Sequence, residues 1–374
     1  MIKVGITGQA GFIGTHLFNK LSLEKSKYEL IPFQDSFFDD EETLIDFVSR
    51  CDVIVHLAAV NRHHNQDEIY DTNLLLIEKL ITALKKNKSK SHIIFASSTQ
   101  EERDNTYGRS KKVGRERLSA WAEENKSGFT GLIIPNVFGP FGKPFFNSVI
   151  STFSYQLCAG ETPKIEIDAE LKLIYVGELV SEIEKIIMKN DNEVKDRYIV
   201  PHTFVIKVSD ILGMVNSYKL LYLDKGFIPD LSNTFEVNLF NTFRSYIDLE
   251  KHYPFKYKIN KDDRGIFVEL IKQKTGGQIS YSTTKPGITR GNHFHTRKIE
   301  RFAVIQGKAL IKLRKYGTNQ IINFELSGDE PSFVDMPVWY THNITNVGEY
   351  ELVTLFSTNE FYDPDDADTY YEEV

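Results

Sequence analysis

The chain has 374 residues, of which 41% are hydrophobic and 26% are charged, and its formal net charge at pH 7 is −7. This composition is typical of a folded globular protein and excludes a disordered chain, a collagen-like fibre and a small disulfide-stapled domain. An acidic chain also lacks the basic surface that binds nucleic acid or anionic lipid, so we expect neither as a partner.

The compartment follows from cysteine content and hydropathy. Only Cys51 and Cys158 are present, far apart in the sequence, which excludes a disulfide framework and fits a reducing compartment. No apolar stretch of about 18 residues could span a membrane, and the N-terminus lacks the pattern of a signal peptide. We therefore expect a cytoplasmic protein.

The first 140 residues alternate short apolar runs with longer segments of helical spacing. The runs predict strands at 2–7, 28–33, 52–58 and 92–96, and the stripe of Asn73, Leu76, Leu80 and Leu84 predicts a helix over 71–84. Strands that alternate with helices indicate a parallel sheet covered by helices on both faces.

The last third of the chain has a different period. Short runs rich in Val, Ile, Phe and Leu, separated by turn residues, predict strands at 266–270, 278–282, 299–304, 309–314, 321–326, 332–335 and 352–356. Many short strands favour an all-β sandwich or barrel. The change of period near 246–254 predicts two domains, 1–245 and 246–374. The acidic tail 363–374 reads as a solvated end, unless Tyr370 and Tyr371 pack back onto the fold.

A glycine pattern follows the first predicted strand. Gly8, Gly11 and Gly14 form G-x-x-G-x-x-G at the start of a helical segment, with Phe12 and Ile13 between the last two glycines. Glycines permit a tight turn and a close backbone approach to a pyrophosphate, and the helix N-terminus supplies free N–H groups. The sequence therefore predicts dinucleotide binding by residues 8–14.

The rest of the predicted cofactor site lies after the second and third strands. Gln34 and Asp35 occupy the place of the ribose-binding acid; Asp35 favours NAD, but the absence of an Arg leaves NAD and NADP both open. Asp52 is either an adenine contact or a strand-end turn. The small residues of Leu57-Ala58-Ala59 suit a backbone that passes under a dinucleotide.

Tyr107 and Lys111 form a Y-x-x-x-K pair on one helix face, and we expect the ammonium to lower the pKa of the phenol. Such a tyrosine can donate a proton to a carbonyl oxygen while hydride reaches the carbon. Ser98, at the end of the fourth predicted strand, is the candidate that orients the same oxygen, with Ser97 and Thr99 as alternatives. Two further pairs of this spacing, Tyr257/Lys261 and Tyr281/Lys285, are predicted to lie on the surface.

Together these motifs resemble the extended short-chain dehydrogenase/reductase family, which has a Rossmann-type doubly wound sheet and acts mostly on nucleotide sugars. The resemblance covers residues 1–245. It implies that Ser98, Tyr107 and Lys111 assist hydride transfer and that the segment at Asn136 contacts cofactor or sugar. Ile133 and Ile134 stand where the family often has an Arg, so Arg62 or Lys143 are suggested as phosphate contacts instead.

Histidines cluster in the second half. His293 and His295 share one face of a strand, Glu300 follows after a bend, and His342 comes later. Three imidazoles and a carboxylate suit Zn, Mn, Fe or Ni. The segment that contains His293, His295 and Glu300 and the segment that contains His342 resemble the two signature motifs of the cupin family, a small β-barrel. This resemblance implies that the four residues are metal ligands. The second motif departs from the family at Trp339, where cupins prefer Gly.

The stretch 290–293 also resembles cupin epimerases of deoxy-sugar biosynthesis, in which the corresponding histidine is a base. His293 is thus either ligand or base. We prefer ligand, because a metal-bound nitrogen has no free lone pair. The base could then be Tyr340, Lys298 or another residue that the sequence does not identify.

The fusion of both halves, with residues 262–265 and 368–374, resembles bifunctional enzymes of capsular polysaccharide synthesis. This implies C3 epimerisation of a UDP-2-acetamido-2,6-dideoxy-4-ketohexose and C4 reduction with NADPH, or with NADH, to UDP-N-acetyl-6-deoxy-L-talosamine. It also implies Arg264 as a substrate contact, and cupins in general imply a homodimer. Two alternatives remain open: an NAD-dependent UDP-sugar 4-epimerase, and a β domain that only binds sugar or assembles.

Overall fold

The computed structural model describes residues 1–62, 65–257, 260–262, 265–267, 271, 277–360 and 363–374. The chain forms two compact units that are interleaved in sequence. Unit 1 comprises residues 1–138, 146–148 and 170–206, and unit 2 comprises 139–145, 149–169 and 207–374. Within the described residues, no helix is both long and apolar enough to cross a bilayer.

Unit 1 contains a six-stranded parallel sheet with the order β2-β1-β3-β4-β5-β8 and a second sheet of the order β6-β7-β9. Its strands are β1 (Ile2–Thr7), β2 (Tyr28–Ile31), β3 (Val53–His56), β4 (His92–Ser98), β5 (Phe129–Ile134), β6 (Asn136–Phe138), β7 (Glu170–Tyr175), β8 (Val194–Ile199) and β9 (Phe204–Lys207). Its helices are α1 (Phe12–Ser22), α2 (Glu41–Ser49), α3 (Gln66–Lys86), α4 (Thr106–Asn125) and α6 (Val176–Lys189), with short 3-10 turns at Asp35–Asp39 and Thr99–Glu102.

The central strands of this sheet are covered on both faces, which explains their continuous apolar character. All four residues of β3 and all six of β5 are buried, and two separate apolar clusters line the two faces of the sheet. Helix α4 begins where the Asn105 side chain accepts a hydrogen bond from the Gly108 N–H at 2.7 Å. This cap fixes the start of the helix that carries Tyr107 and Lys111.

Unit 2 contains two five-stranded sheets, β10-β18-β15-β20-β13 and β17-β16-β19-β14-β21, and the two-stranded β11-β12. Its strands are β10 (Phe255–Lys256), β11 (Asn260–Asp262), β12 (Gly265–Phe267), β13 (Gln278–Thr284), β14 (Thr289–Phe294), β15 (Glu300–Gln306), β16 (Lys308–Lys315), β17 (Ile321–Ser327), β18 (Ser332–Met336), β19 (Tyr340–Asn346), β20 (Leu352–Thr358) and β21 (Tyr370–Tyr371). Its helices are α5 (Val149–Cys158), α7 (Val208–Tyr218), which runs into a π-helical turn (Lys219–Leu223), α8 (Thr234–Arg244) and α9 (Leu249–His252).

The paired strands of the two five-stranded sheets are antiparallel, and a strand such as β16 alternates buried and more exposed residues. The predicted class, a Rossmann-type parallel sheet followed by a cupin-like β fold, is confirmed. Helices α5, α7 and α8 belong to unit 2 by contacts. The proposed boundary at 245/246 stays a prediction, since compactness and function need not divide a chain at the same residue.

The C-terminal tail is not a uniformly solvated end. Asp363, Asp365 and Asp366 are exposed, but Asp368 is buried and β21 pairs with β14. The pairing places Tyr370 opposite Phe294, and their rings stack with centroids 5.4 Å apart. The tail therefore belongs to the β fold.

Candidate functional site

The glycine loop of unit 1 connects β1 to α1. Gly8 has φ +70°, and a Cβ there would lie 2.8 Å from the Ala58 backbone nitrogen; a Cβ on Gly14 would lie 2.2 Å from the Gly8 carbonyl oxygen. Gly11 precedes α1 and provides no side-chain cap, so the first N–H groups of the helix have no capping side chain. This loop fits the pyrophosphate of a dinucleotide.

Thr7 and Asp52 lie at opposite ends of the neighbouring strands β1 and β3. Thr7 joins the end of β1 to that of β3, because its hydroxyl lies 2.7 Å from His56 Nδ1 and accepts from the Ala58 N–H at 3.4 Å. Asp52 lies at the amino end of the strands, immediately before the first residue of β3, and the glycine loop lies at their carboxyl end. The Asp52 carboxylate accepts a hydrogen bond from the Lys3 N–H at 2.8 Å. Asp52 is therefore a strand-end residue and not an adenine contact.

Gln34 and Asp35 lie beyond the end of β2, and both side chains are exposed. They occupy the position that the sequence assigned to ribose recognition, and their role stays a prediction. Ile133 and Ile134 are buried in β5 and face no solvent, so neither can serve as a phosphate contact. Arg62, one suggested substitute, donates to Asn147 Oδ1 at 3.1 Å and lies over the Phe146 ring.

The Ser, Tyr and Lys residues lie on β4 and α4. Lys111 is buried, and its ammonium donates to the Ala96 carbonyl at 2.8 Å and lies 5.8 Å from the centre of the Tyr107 ring. Ser98 is half-buried at the end of β4, whereas the Ser97 hydroxyl is committed to Glu101 and Thr99 is exposed. The Ser98 hydroxyl accepts a hydrogen bond from the Gln100 N–H at 3.2 Å, and its role in orienting a substrate oxygen stays a prediction.

The expected depression of the tyrosine pKa is absent. Burial raises the pKa of Tyr107 to about 12, because it disfavours the phenolate. Burial also lowers the pKa of Lys111 to about 8, although the negative charge of Glu101 opposes this shift. In this arrangement Tyr107 is a protonated phenol at neutral pH, which is the form that donates a proton.

Two buried contacts that the sequence did not reveal hold α4 in place. Arg115, one turn after Lys111, pairs with Glu101 through Nε and Nη2 at 3.0 Å, and Glu101 accepts from Ser97. Asn73 bonds both the N–H and the carbonyl of Val60 and donates to Ser110 on α4. The position of Asn73 within an apolar helix stripe could have indicated its buried contacts. No sequence pattern indicated the pair of Arg115 and Glu101.

The other two Y-x-x-x-K pairs differ from each other. The Tyr257 ring packs on Phe333 with centroids 5.1 Å apart and its hydroxyl is buried, so the prediction that this tyrosine lies on the surface is wrong. Tyr281 is 71% exposed, and Lys285 is also exposed, as predicted for a surface pair. The Lys261 side chain and Arg264 lie outside the residues whose side chains the structure describes. The predicted substrate contact at Asn136 begins β6, where its exposed side chain donates to the Lys172 carbonyl at 3.4 Å.

The four predicted ligands meet between the two sheets of unit 2. His293 on β14 pairs with His342 on β19, His295 directly follows β14, and Glu300 begins β15 of the other sheet. One donor atom from each lies within 4.8 Å of all the others. Ligand atoms about 2.1 Å from one ion are separated by roughly 3 to 4.2 Å, so donors up to 4.8 Å apart need to approach one another by about 0.6 Å at most to hold a divalent metal.

The orientation of the imidazoles supports this fit. His295 Nδ1 lies 2.6 Å from the Asp368 carbonyl, and His342 Nδ1 lies 3.1 Å from the Tyr340 carbonyl. Because a carbonyl only accepts, each Nδ1 carries the proton, and each Nε2 presents a lone pair inward. Both Nε2 atoms lie 3.1 Å from Glu300 Oε2.

A cavity of about 220 Å³ opens onto the cluster. Three of the ligands line it, together with Ser280, Lys298 and Thr358. Tyr340, the other suggested base, contacts the Phe141 ring at a centroid distance of 6.5 Å and does not line this cavity. Of the two residues named as possible bases, Lys298 lines the cavity with the ligand cluster and Tyr340 does not.

The departure from the cupin pattern at Trp339 has a conformational explanation. Trp339 has φ +61°, in the left-handed region that glycine adopts without cost. Its N–H donates to the His295 carbonyl at 2.8 Å, and its ring stacks on Phe294. The indole thus stabilises a turn that glycine forms by conformational freedom alone.

We expect Trp339→Gly to lower the free energy of unfolding by about 2 kcal/mol, because a loss of about 4 kcal/mol from removing a buried indole outweighs about 2 kcal/mol of relieved strain. Urea unfolding of this variant and of Trp339→Phe, which retains an aromatic ring, measures the balance. A Trp339→Gly protein that is more stable than the parent would show that strain dominates.

A dinucleotide-type glycine loop on a parallel sheet, and a metal-type cluster within a cupin-like fold, define the class of protein. The description "NAD dependent epimerase/dehydratase family" matches residues 4–200, and "Polysaccharide biosynthesis C-terminal domain" matches 260–370. The chain therefore belongs to the NAD dependent epimerase/dehydratase family, and the glycine loop fits its nicotinamide cofactor.

Full-length relatives narrow this membership to the CapF-like enzymes. The chain is 35% identical to the capsular polysaccharide assembling protein CapF of Staphylococcus aureus, with all of both chains covered and a TM-score of 0.63. It is 30% identical to the UDP-2-acetamido-2,6-beta-L-arabino-hexul-4-ose reductase of Pseudomonas aeruginosa PA103, over 99% of this chain and 98% of that protein.

A more distant solved structure resembles part of the chain in fold. RMD from Pseudomonas aeruginosa, solved in complex with NADPH, is 19% identical, covers 59% of this chain and 82% of its own, and has a TM-score of 0.53.

Proposed function

We propose that the chain is a bifunctional nucleotide-sugar enzyme. Its cupin-like part epimerises C3 of a UDP-2-acetamido-2,6-dideoxy-4-ketohexose, and its dehydrogenase part reduces the C4 ketone with NADPH to UDP-N-acetyl-6-deoxy-L-talosamine, for capsular polysaccharide. The observation that carries this proposal is that one chain holds a glycine loop and a Ser, Tyr and Lys set on the same parallel sheet, together with a four-residue cluster that opens onto a cavity. The reductase name of the Pseudomonas relative supports the second step.

In the first step the proton at C3 is removed and returned to the opposite face. A C–H bond beside a ketone is acidic, so the C4 carbonyl makes this exchange feasible. A divalent ion such as Zn²⁺, held by His293, His295, Glu300 and His342, would polarise that ketone as a Lewis acid. Lys298 lines the cavity that the ligands share and is the group we assign to take the proton from C3, and a proton from solvent water enters C3 on the opposite face.

In the second step NADPH supplies a hydride to C4. Tyr107 donates its Oη proton to the ketone oxygen, Ser98 orients that oxygen, and the Lys111 ammonium stabilises the phenolate that remains. Reduction removes the ketone, so the configuration set at C3 can no longer exchange. The protonated state of Tyr107, whose pKa burial raises to about 12, suits this direction of proton transfer.

Incubation with the UDP-4-keto-6-deoxy sugar in deuterated water, with and without NADPH, separates the two steps. We expect deuterium at C3 without NADPH, and the deoxytalosamine product only with NADPH. A His342→Ala variant should lose the exchange, and a Tyr107→Phe variant should keep it. Absence of deuterium in the native enzyme would contradict the epimerase step.

The test also distinguishes the two alternatives. A 4-epimerase would carry stoichiometric NAD after purification and would oxidise no NADPH. If the β domain only bound sugar or joined subunits, His342→Ala would keep the exchange and lose assembly. We further propose a homodimer, on the resemblance to cupins, which sedimentation velocity tests.

The reduction step should depend on pH through Lys111. Its pKa of about 8 lies below the usual value of 10.5, so the ammonium is charged below pH 8 and loses its charge above it. We expect kcat/KM for NADPH-dependent reduction to fall about tenfold per pH unit above this pKa, since one ionisation is involved. A Lys111→Arg variant should lack this alkaline limb, and an unchanged limb in that variant would assign it to another group.

The lowered pKa of Lys111 also affects stability, but there a rise in pH is favourable. Between pH 8 and 10.5 the unfolded chain binds more protons at Lys111 than the folded chain does. The contribution of this group to the free energy of unfolding therefore rises with pH across that window.

A further inference from the structure

The C-terminal tail contacts the segment that follows β14. Asp368, only 4% exposed, accepts four hydrogen bonds through its carboxylate. Thr296 donates its N–H at 3.0 Å and its hydroxyl at 2.6 Å to Oδ1, and the N–H groups of Arg297 and Lys298 each donate at 2.9 Å to Oδ2. Three successive backbone N–H groups that converge on one carboxylate form a strong anion-binding nest. The carboxylate thereby fixes residues 296–298 to the tail.

The backbone of the same residue reaches the metal-type cluster. The Asp368 carbonyl accepts from His295 Nδ1 at 2.6 Å, which fixes both the tautomer and the direction of the ring. Asp368 has φ +41°, a left-handed conformation that turns its carbonyl and carboxylate toward the same segment. The side chain thus holds in place the carbonyl that orients His295.

The next residues lock the tail to the strand before His295. Tyr370 and Tyr371 of β21 pair with Phe294 and His293, and the Glu372 N–H donates to the Asn292 carbonyl at 2.9 Å. Thr369 lines the cavity beside the ligands. The tail therefore supports His293 and His295 from outside the cluster.

We propose that Asp368 is a positioning residue for metal binding, and that the C-terminal tail completes the outer shell of the four-ligand cluster. The inference rests on the proposed metal site. Without the carboxylate, residues 296–298 lose three backbone hydrogen bonds to the tail, and the carbonyl that holds His295 is no longer fixed. The ligands stay in the chain, but they must be ordered when the ion binds, which weakens affinity.

The test is the affinity of the full chain for Zn²⁺, measured by competition with a chromophoric chelator. We expect Asp368→Asn to weaken affinity by about 10- to 100-fold, the usual range for the loss of an outer-shell partner. Asp366→Asn is the matched control, because Asp366 is an exposed neighbour in the same tail that pairs with Arg297; its affinity should stay within about twofold of the parent. Circular dichroism confirms that each variant is folded.

A second pair of variants tests the same inference if Asp368→Asn does not fold. Thr296→Val removes one of the four hydrogen bonds at nearly constant volume, and Thr296→Ser restores it. We expect the first to weaken Zn²⁺ binding and the second to match the parent.

Parental affinity in Asp368→Asn or, should that variant not fold, in Thr296→Val would overturn the inference while leaving the metal site intact. A native chain that binds no Zn²⁺ would overturn both the inference and the proposed site.

Discussion

A Tyr107→Phe variant is expected to reduce the keto sugar about 10² to 10⁴-fold more slowly than the native enzyme, because it lacks the acid that protonates the ketone oxygen. The substitution removes one hydroxyl and leaves the ring beside Lys111, so the loop and helix should stay intact. NADPH oxidation with the 4-keto sugar, followed by absorbance, measures the loss.

The chain offers a matched control for this experiment. Tyr281 has the same four-residue spacing to a lysine, but it is 71% exposed on β13. Tyr281→Phe should retain native turnover, and Tyr107→Phe should retain C3 exchange. Native turnover in Tyr107→Phe would remove the proposed acid and, with it, the assignment of the reductase site.

The largest expected effect on stability comes from Asp335→Asn in unit 2. The Asp335 carboxylate pairs with Arg301 at 2.7 and 3.0 Å, both side chains are 1% exposed, and Tyr222 donates to the same carboxylate. Asn cannot balance the buried guanidinium charge. We expect a loss of about 3–5 kcal/mol in the free energy of unfolding, measured by urea denaturation.

Two further variants test the cause. Arg301→Met combined with Asp335→Leu removes both charges and should recover most of the loss, since the penalty comes from one unpaired buried charge. Glu330→Gln breaks the exposed pair with Lys256, in which both side chains are more than 60% exposed, and should cost less than about 1 kcal/mol. Equal effects of Asp335→Asn and Glu330→Gln would contradict the assigned role of burial.

Much of both candidate sites could be predicted from local spacing. The glycine loop depends on three glycines within seven residues, and Tyr107 and Lys111 share a helix face. His293 and His295 flank one residue at the end of a strand. His342 and Glu300 were harder to place from periodicity alone, and the resemblance to cupin motifs connected them. The structure brings the donor atoms of these four residues within 4.8 Å of one another, and their role as metal ligands stays a prediction.

Other features depend on the path of the whole chain. The sequence by itself determined which residues could form a dinucleotide loop, a proton donor and the His293/His295 part of a metal cluster, because those patterns are set by neighbouring residues. Only the tertiary structure decided that Asp52 lies at the edge of the sheet away from the glycine loop, that Tyr107 stays protonated, and that Asp368 is buried beside His295. The physical reason is that the pKa of a polar group depends on its burial, and its partner depends on which distant residues the fold brings near it. Local sequence specifies neither the burial nor these long-range contacts.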